Sequence, residues 1–179
     1  MRIPHPKINL LLAGSFLSIL LVIIIAYIII PENEPCPTET ADKIIIHKAR
    51  RRMMLMKDDR VICTYTISLG GNPEGHKVQE GDGRTPEGLY TIDWKNPQSK
   101  FHLSLRISYP NKNDSDHAKK LGVPPGGNIM IHGLTNGLGW IGKLHTLYDW
   151  TSGCIAVTNP EIEHLWNCVE IGTPVEIFP

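Results

Sequence analysis

A run of 23 residues from Ile8 to Ile30 carries no charge, and its only appreciably polar interruptions are Asn9, Ser15, Ser18 and Tyr27. A stretch of that length spans a hydrocarbon core of roughly 30 Å as a helix. It divides the chain into a tip (1–7), a single transmembrane anchor (8–30) and the remainder. A cleaved secretory signal would have a shorter apolar region and a small-x-small cleavage site, and neither precedes Pro31. Asn33, Glu34 and Pro35 make no lipobox ahead of Cys36. Arg2 and Lys7 lie before the run, while Glu32, Glu34 and Glu39 follow it, so the positive-inside bias places Met1 in the cytoplasm and the rest of the chain outside. Arg50, Arg51 and Arg52 pull weakly the other way but stand far beyond the helix.

After the anchor, Pro31 to Asp42 holds three prolines and almost no apolar side chain, the composition of an extended linker (31–42). The whole chain balances 18 basic against 18 acidic residues, and without Arg2 and Lys7 the balance is 16 against 18. That is no footprint for nucleic acid. Four cysteines, Cys36, Cys63, Cys154 and Cys168, would face an oxidising compartment. If one is a nucleophile, at most one disulfide forms among the other three, and the apolar settings of Cys63 and Cys168 favour buried thiols.

The remaining residues (43–179) read as a domain built mainly of strands. Lys43–Lys48, Arg52–Met56 and Val61–Leu69 read as a strand followed by a hairpin, with Met53, Met54 and Met56 filling a small core. Two glycine clusters, Leu69 to His76 and Gly81 to Gly88, read as turns. Neither opens a helix with a phosphate-binding signature. Phe101 to Ser108 has a period of two, which puts His102 and Arg106 on one polar face that could hold a substrate carboxylate if it borders a cleft. Asn111 to His117 reads as a polar surface loop. Thr158-Asn159-Pro160-Glu161 has capping-box spacing ahead of Ile162, Leu165, Trp166 and Val169, which repeat as an amphipathic helix does, and Val175–Phe178 is a closing strand.

Chemistry concentrates between Ile129 and Val157. Cys154 sits in the small-residue turn Thr151-Ser152-Gly153-Cys154 that runs into Ile155-Ala156-Val157, so its thiol stands at the mouth of a regular element. A thiol attacks as thiolate and needs a base or cationic partner. His132 closes the apolar run Asn128–Ile131 and is followed by Gly133, where the backbone can turn, so a strand end presents the imidazole rigidly. Amides of Gly153 and Cys154 are candidates for an oxyanion hole. The 21 residues between His132 and Cys154 are rich in glycine and aromatics, a lid or substrate platform in which Trp140 and Trp150 either meet substrate or plug the core. His145 is a rival base, expected to be less well held because it lies on that loop. No His-Glu-x-x-His or paired Cys-x-x-Cys is present, so His102, His117, His132, His145 and the cysteines make a poor metal set.

His-Gly, a loop, and then Ser/Thr-x-Gly-Cys with a hydrophobic residue after it resembles the L,D-transpeptidase catalytic (YkuD) domain, bacterial cell-wall enzymes. The resemblance runs from about Lys43 to Pro179 and includes the turn Glu80–Gly88. It implies a mainly β domain with short helices, a β-sandwich behind the single N-terminal transmembrane helix. It also implies Cys154 as nucleophile, His132 as general base oriented by the Gly133 carbonyl, and oxyanion amides at Gly153 and Cys154. Candidate substrate contacts are Ser152, Trp140, Trp150, His102 and Arg106. Many relatives have His where this chain has Ser152, and Arg or Asn where it has Ala156. Asp149 to Val157 instead resembles a subgroup that includes lipoprotein-detaching hydrolases as well as transpeptidases.

The implied activity is an acyl-thioester reaction on peptidoglycan stem peptides, released to an amine for cross-linking or lipoprotein attachment, or to water for cleavage. No cofactor and no metal is implied. The implied location is the bacterial inner membrane, with the catalytic domain in the periplasm. A non-catalytic wall-binding module is the alternative of a different class. A sortase-like enzyme would need an arginine after its cysteine, and none follows Cys154.

Overall fold

In the computed structural model, residues 36–179 are described. The tip (1–7), the anchor (8–30) and the start of the linker lie outside them. No helix among the described residues is long and apolar enough to cross a membrane.

Eight strands form one sheet: β1 (Lys43–His47), β2 (Arg52–Lys57), β3 (Arg60–Thr66), β4 (Gly88–Ser99), β5 (His102–Ile107), β6 (Met130–His132), β7 (Ile155–Ala156) and β8 (Pro174–Phe178). Their spatial order is β3-β2-β1-β8-β4-β5-β6-β7. Where a sandwich of two sheets was expected, a single sheet continues through β4. The first residues of β4, Gly88 to Thr91, pair with β8, and the remainder pairs with β5 across two register shifts. Such irregularities bend a strand and increase its twist. The buried cluster draws on both halves, with Ile44, Ile46 and Leu55 from one and Leu105, Ile131 and Ile155 from the other. Burial alternates along the first two strands although their sequences are apolar runs: β1 buries Ile44 and Ile46, β2 buries Met53 and Leu55.

Two helices accompany the sheet. The polar stretch read as a loop is in fact the start of α1 (Lys112–Leu121). Its signal was Asn111 three residues ahead of Asp114. The Asn111 side chain accepts from the Asp114 N–H and the Asp114 carboxylate accepts from the Asn111 N–H, a reciprocal cap that satisfies two orphan donors. Asp114 also accepts from the buried Tyr90 hydroxyl at 3.1 Å. Helix α2 (Asn159–Cys168) begins as expected, with Thr158 and Glu161 capping each other, and buries Ile162, Leu165 and Cys168.

The second half of the supposed linker belongs to the domain. Cys36 is joined to Cys63 by a disulfide, Ala41 is buried, and its N–H donates to Cys168 O at 2.8 Å. Cys63 is therefore not a thiol, while Cys154 and the buried Cys168 are free. On the opposite flank the Lys48 ammonium is buried and donates to Gly75 O, Thr85 O and the Glu87 carboxylate, tying β1 to the glycine turns. Burial pulls its pKa down, opposed by Glu87.

Candidate active site

Strand β6 lies between β5 and β7, and its pairing with β7 is parallel, with Ile131 opposite Ile155 and His132 opposite Ala156. One step back, Met130 stands opposite Cys154, and the Met130 N–H donates to Cys154 Sγ at 3.4 Å. Successive residues of a strand alternate faces. Cys154 and His132 therefore leave adjacent strands on the same face, one diagonal step apart, while Ile131 and Ile155 are buried on the other. The thiol donates to Asn128 O at 3.7 Å. No hydrogen bond joins it to His132 among the described residues.

The imidazole itself is fixed. His132 Nδ1 lies 2.7 Å from Gly133 O, so Nδ1 carries the proton and Nε2 keeps its lone pair. Burial pushes its pKa down to about 4, against the raising effect of the Gly133 carbonyl. Burial likewise raises the Cys154 pKa, opposed by the Met130 N–H and the Lys77 charge. Both effects favour a neutral thiol beside a neutral imidazole, a pair that makes its thiolate only by passing a proton. Phe101 and Trp150 pack on the His132 ring at centroid distances of 4.5 and 5.7 Å. Asn159, at the start of α2, accepts from the Leu134 N–H and holds the turn beyond Gly133.

Behind Cys154 three turns meet through glycine backbones. A Cβ on Gly70 would stand 2.0 Å from Gly83 O and 2.9 Å from Gly153 Cα, and a Cβ on Gly153 would stand 2.5 Å from Arg84 O. Gly153 also has φ +126°, a conformation that side chains rarely adopt. The glycine clusters are thus packing turns that let the cysteine loop approach, and Asp82 closes one of them by accepting from the Val78, Gln79 and Arg84 amides and from Lys77. Burial alone would raise the Asp82 pKa, but Lys77 and these amides hold it down to about 2. Asp149 is gripped through two oxygens by Arg51 and accepts from the Leu69 N–H. Thr151 Oγ1 donates to Cys154 O at 2.8 Å and accepts from the Gly153 N–H at 3.1 Å. That last bond revises the oxyanion expectation: the Gly153 amide is already engaged, whereas no acceptor engages the Cys154 amide among the described residues.

The candidate substrate residues separate. Ser152 is exposed beside Cys154. Trp150 is half-buried against His132, while Trp140 is 79% exposed. His102 pairs with Glu163 at 2.6 Å and Arg106 with Asp93 at 2.7 Å, so each has a partner of its own. His145 is not the loosely held residue its loop position suggested, since it is 4% exposed and bonded to Ser68. Its insertion depends on Gly142, whose non-helical φ of 52° breaks the 3₁₀ segment Gly139–Leu147, and sequence gave no signal for it. The histidines of the poor metal set do not gather. Among the described residues Cys36, Cys63 and His164 come closest to a ligand cluster, and both sulfurs there are in the disulfide.

The model of the L,D-transpeptidase catalytic domain (YkuD) matches residues 41–177. This chain belongs to that family. The transpeptidase domain is 30% identical over 132 residues to YafK of Escherichia coli (strain K12), itself a provisionally assigned L,D-transpeptidase, covering 68% of this chain and 44% of that protein. Among solved structures it is similar to the helical cell shape determining protein Pgp2 from Campylobacter jejuni, with a TM-score of 0.58 and 26% identity over 78% of this chain and 48% of that one. An L,D-transpeptidase from Mycobacterium smegmatis shares the fold at a TM-score of 0.52 and 14% identity, over 78% of this chain and 59% of that one. The chain spans less than half the length of YafK and of Pgp2.

Proposed function

We propose that the transpeptidase domain joins or cleaves peptidoglycan stem peptides through a thioester on Cys154. The observation that carries this reading is the shared sheet face of Cys154 and His132, with the His132 lone pair free and its other nitrogen held by Gly133 O. His132 Nε2 takes the thiol proton as sulfur adds to the carbonyl carbon of the third stem residue. The Cys154 N–H stabilises the resulting oxyanion. Collapse expels the amine of the fourth, D-configured residue, which receives the proton from His132, and leaves the thioester. An acceptor amine, from another stem or from a lipoprotein lysine, then displaces sulfur and regenerates the thiol. If water takes that place, the same site is a hydrolase.

The apolar segment 8–30 anchors the domain to the inner membrane with Cys154 on the periplasmic side, and the Cys36–Cys63 disulfide supports an oxidising compartment. A role in cell shape, which the name of Pgp2 states for that protein, is a natural outlet of either reaction.

Mass spectrometry of muropeptides incubated with the full chain in detergent tests the reading. New cross-links or shortened stems that vanish with Cys154→Ala are expected and distinguish transfer from hydrolysis. Unchanged muropeptides, or products that persist without the thiol, would leave a wall-binding module.

A further inference from the structure

The chain entering β6 turns two backbone groups toward Cys154. The Met130 N–H donates to Sγ at 3.4 Å, and Asn128 O, one peptide earlier, accepts from the thiol at 3.7 Å.

Asn128 O is open because the ladder stops short of it. Hydrogen bonds between parallel strands repeat every two residues along both of them. The Val157 N–H donates to His132 O, so a ladder continued four residues back on each strand would bring the Gly153 N–H to Asn128 O. That amide goes to Thr151 Oγ1 instead. Among the described residues no N–H donates to Asn128 O, and its one donor is the thiol. Asn128 is exposed, as is its contact with the thiol, so the carbonyl is open to solvent beside the nucleophile. Its φ of 54° is left-handed, a conformation that asparagine adopts more readily than most residues.

The proposed reaction takes that one donor away. Once the proton has passed to His132 and sulfur carries the acyl group, Asn128 O faces an atom with nothing to donate. His132 must also return the proton to the leaving amine, so the leaving residue lies on the His132 side of Cys154. The acyl residue then extends the other way, toward Asn128. Its own amide nitrogen is three bonds from sulfur in the thioester, within hydrogen-bond reach of an acceptor 3.7 Å from Sγ.

We propose that Asn128 O accepts the backbone N–H of the stem residue that becomes the acyl group. The contact survives departure of the leaving amine and holds the thioester in place for the acceptor. It rests on the stem-peptide reading and adds a donor-side contact to it.

The test is kcat/KM for release of the fourth residue from a tetrapeptide stem by the full chain in detergent. A depsipeptide, in which an ester oxygen replaces the N–H of the third residue, is measured beside it. The parent is expected to be about 3- to 10-fold slower on the depsipeptide, the loss of one neutral hydrogen bond. Asn128→Gly keeps the left-handed backbone and should show the same penalty. Asn128→Pro cannot reach φ 54°, so its carbonyl turns away. It should process the stem about 3- to 10-fold more slowly, with the depsipeptide penalty reduced below about 2-fold. A carbapenem, whose acyl group carries no such N–H, should acylate all three proteins at similar rates. No depsipeptide penalty in the parent, or the full penalty retained in Asn128→Pro, overturns the contact. If Asn128→Pro also loses carbapenem acylation, its site is disturbed and the parent's depsipeptide ratio decides alone. If the parent releases nothing from the stem, the stem-peptide reading falls and the contact with it.

Discussion

Asp149 and Arg51, 98 residues apart in the chain, are joined through two carboxylate oxygens at 2.7 to 3.1 Å. The pair links the turn between β1 and β2 to the loop that carries Cys154, and Asp149 passes the restraint on to the Leu69 N–H. Forked arginine–carboxylate pairs fix orientation as well as adding energy. Arg51→Ala is expected to cost about 1–2 kcal/mol of stability, the pair being partly exposed, and to slow Cys154 acylation more than that loss explains. Denaturant unfolding beside acylation kinetics checks both, and acylation at the parental rate would show that the loop holds itself.

In the proposed mechanism two neutral groups make the nucleophile, so removing His132 should stop its formation. His132→Ala is expected to lower the rate of Cys154 acylation by a thiol-directed acyl donor such as a carbapenem about 10³-fold, measured by mass of the intact protein. His145→Ala should acylate far better than His132→Ala. The reverse order would move the base from β6 to the 3₁₀ segment.

Gly153 has neither room nor backbone freedom for a side chain. Gly153→Ala places a Cβ against Arg84 O at φ +126° and is expected to cost about 2–4 kcal/mol and to abolish acylation. Gly137→Ala is the control. It has φ +86° with nothing within 4 Å, so only backbone strain of about 1 kcal/mol is expected. Equal thermal midpoints for the two variants would contradict the packed contact.

Two neutral histidines are buried, and both titrate near 4 when folded against 6.5 when free. Between those values the unfolded chain binds more protons, so stability rises with pH. The contribution is fully present above about 6.5 and is lost as pH falls toward about 4, reaching on the order of 3 kcal/mol for each ring. Thermal unfolding from pH 8 to 4.5 should show the decline, and His145→Asn should make it shallower. A flat profile over that range would mean that the rings take up protons without leaving the fold.

Local patterns were legible wherever one segment carried its own instructions. Alternating residue types marked β5, apolar runs bounded by turn residues marked β1 and β2, and Thr158 with Glu161 marked the start of α2. The α1 start at Asn111 was missed because aspartate at the third helical position caps as glutamate does but is less often read that way. The two-sheet expectation failed because alternation reports which face of a strand is buried, and says nothing of a strand long enough to serve both halves as β4 does.

The amino-acid sequence by itself determined the family, the residue types Cys154 and His132 at their strand mouths, and the glycines that only a tight turn explains, because each depends on neighbours within a few positions. Tertiary structure alone decided that Cys36 pairs with Cys63, that Arg51 holds Asp149, that Thr151 engages the Gly153 amide, and that His145 is buried next to Trp150. The distant pairings among these are contacts between segments far apart in the chain. Even the short-range Thr151 bond depends on a hydroxyl orientation that backbone packing sets, which no local spacing encodes.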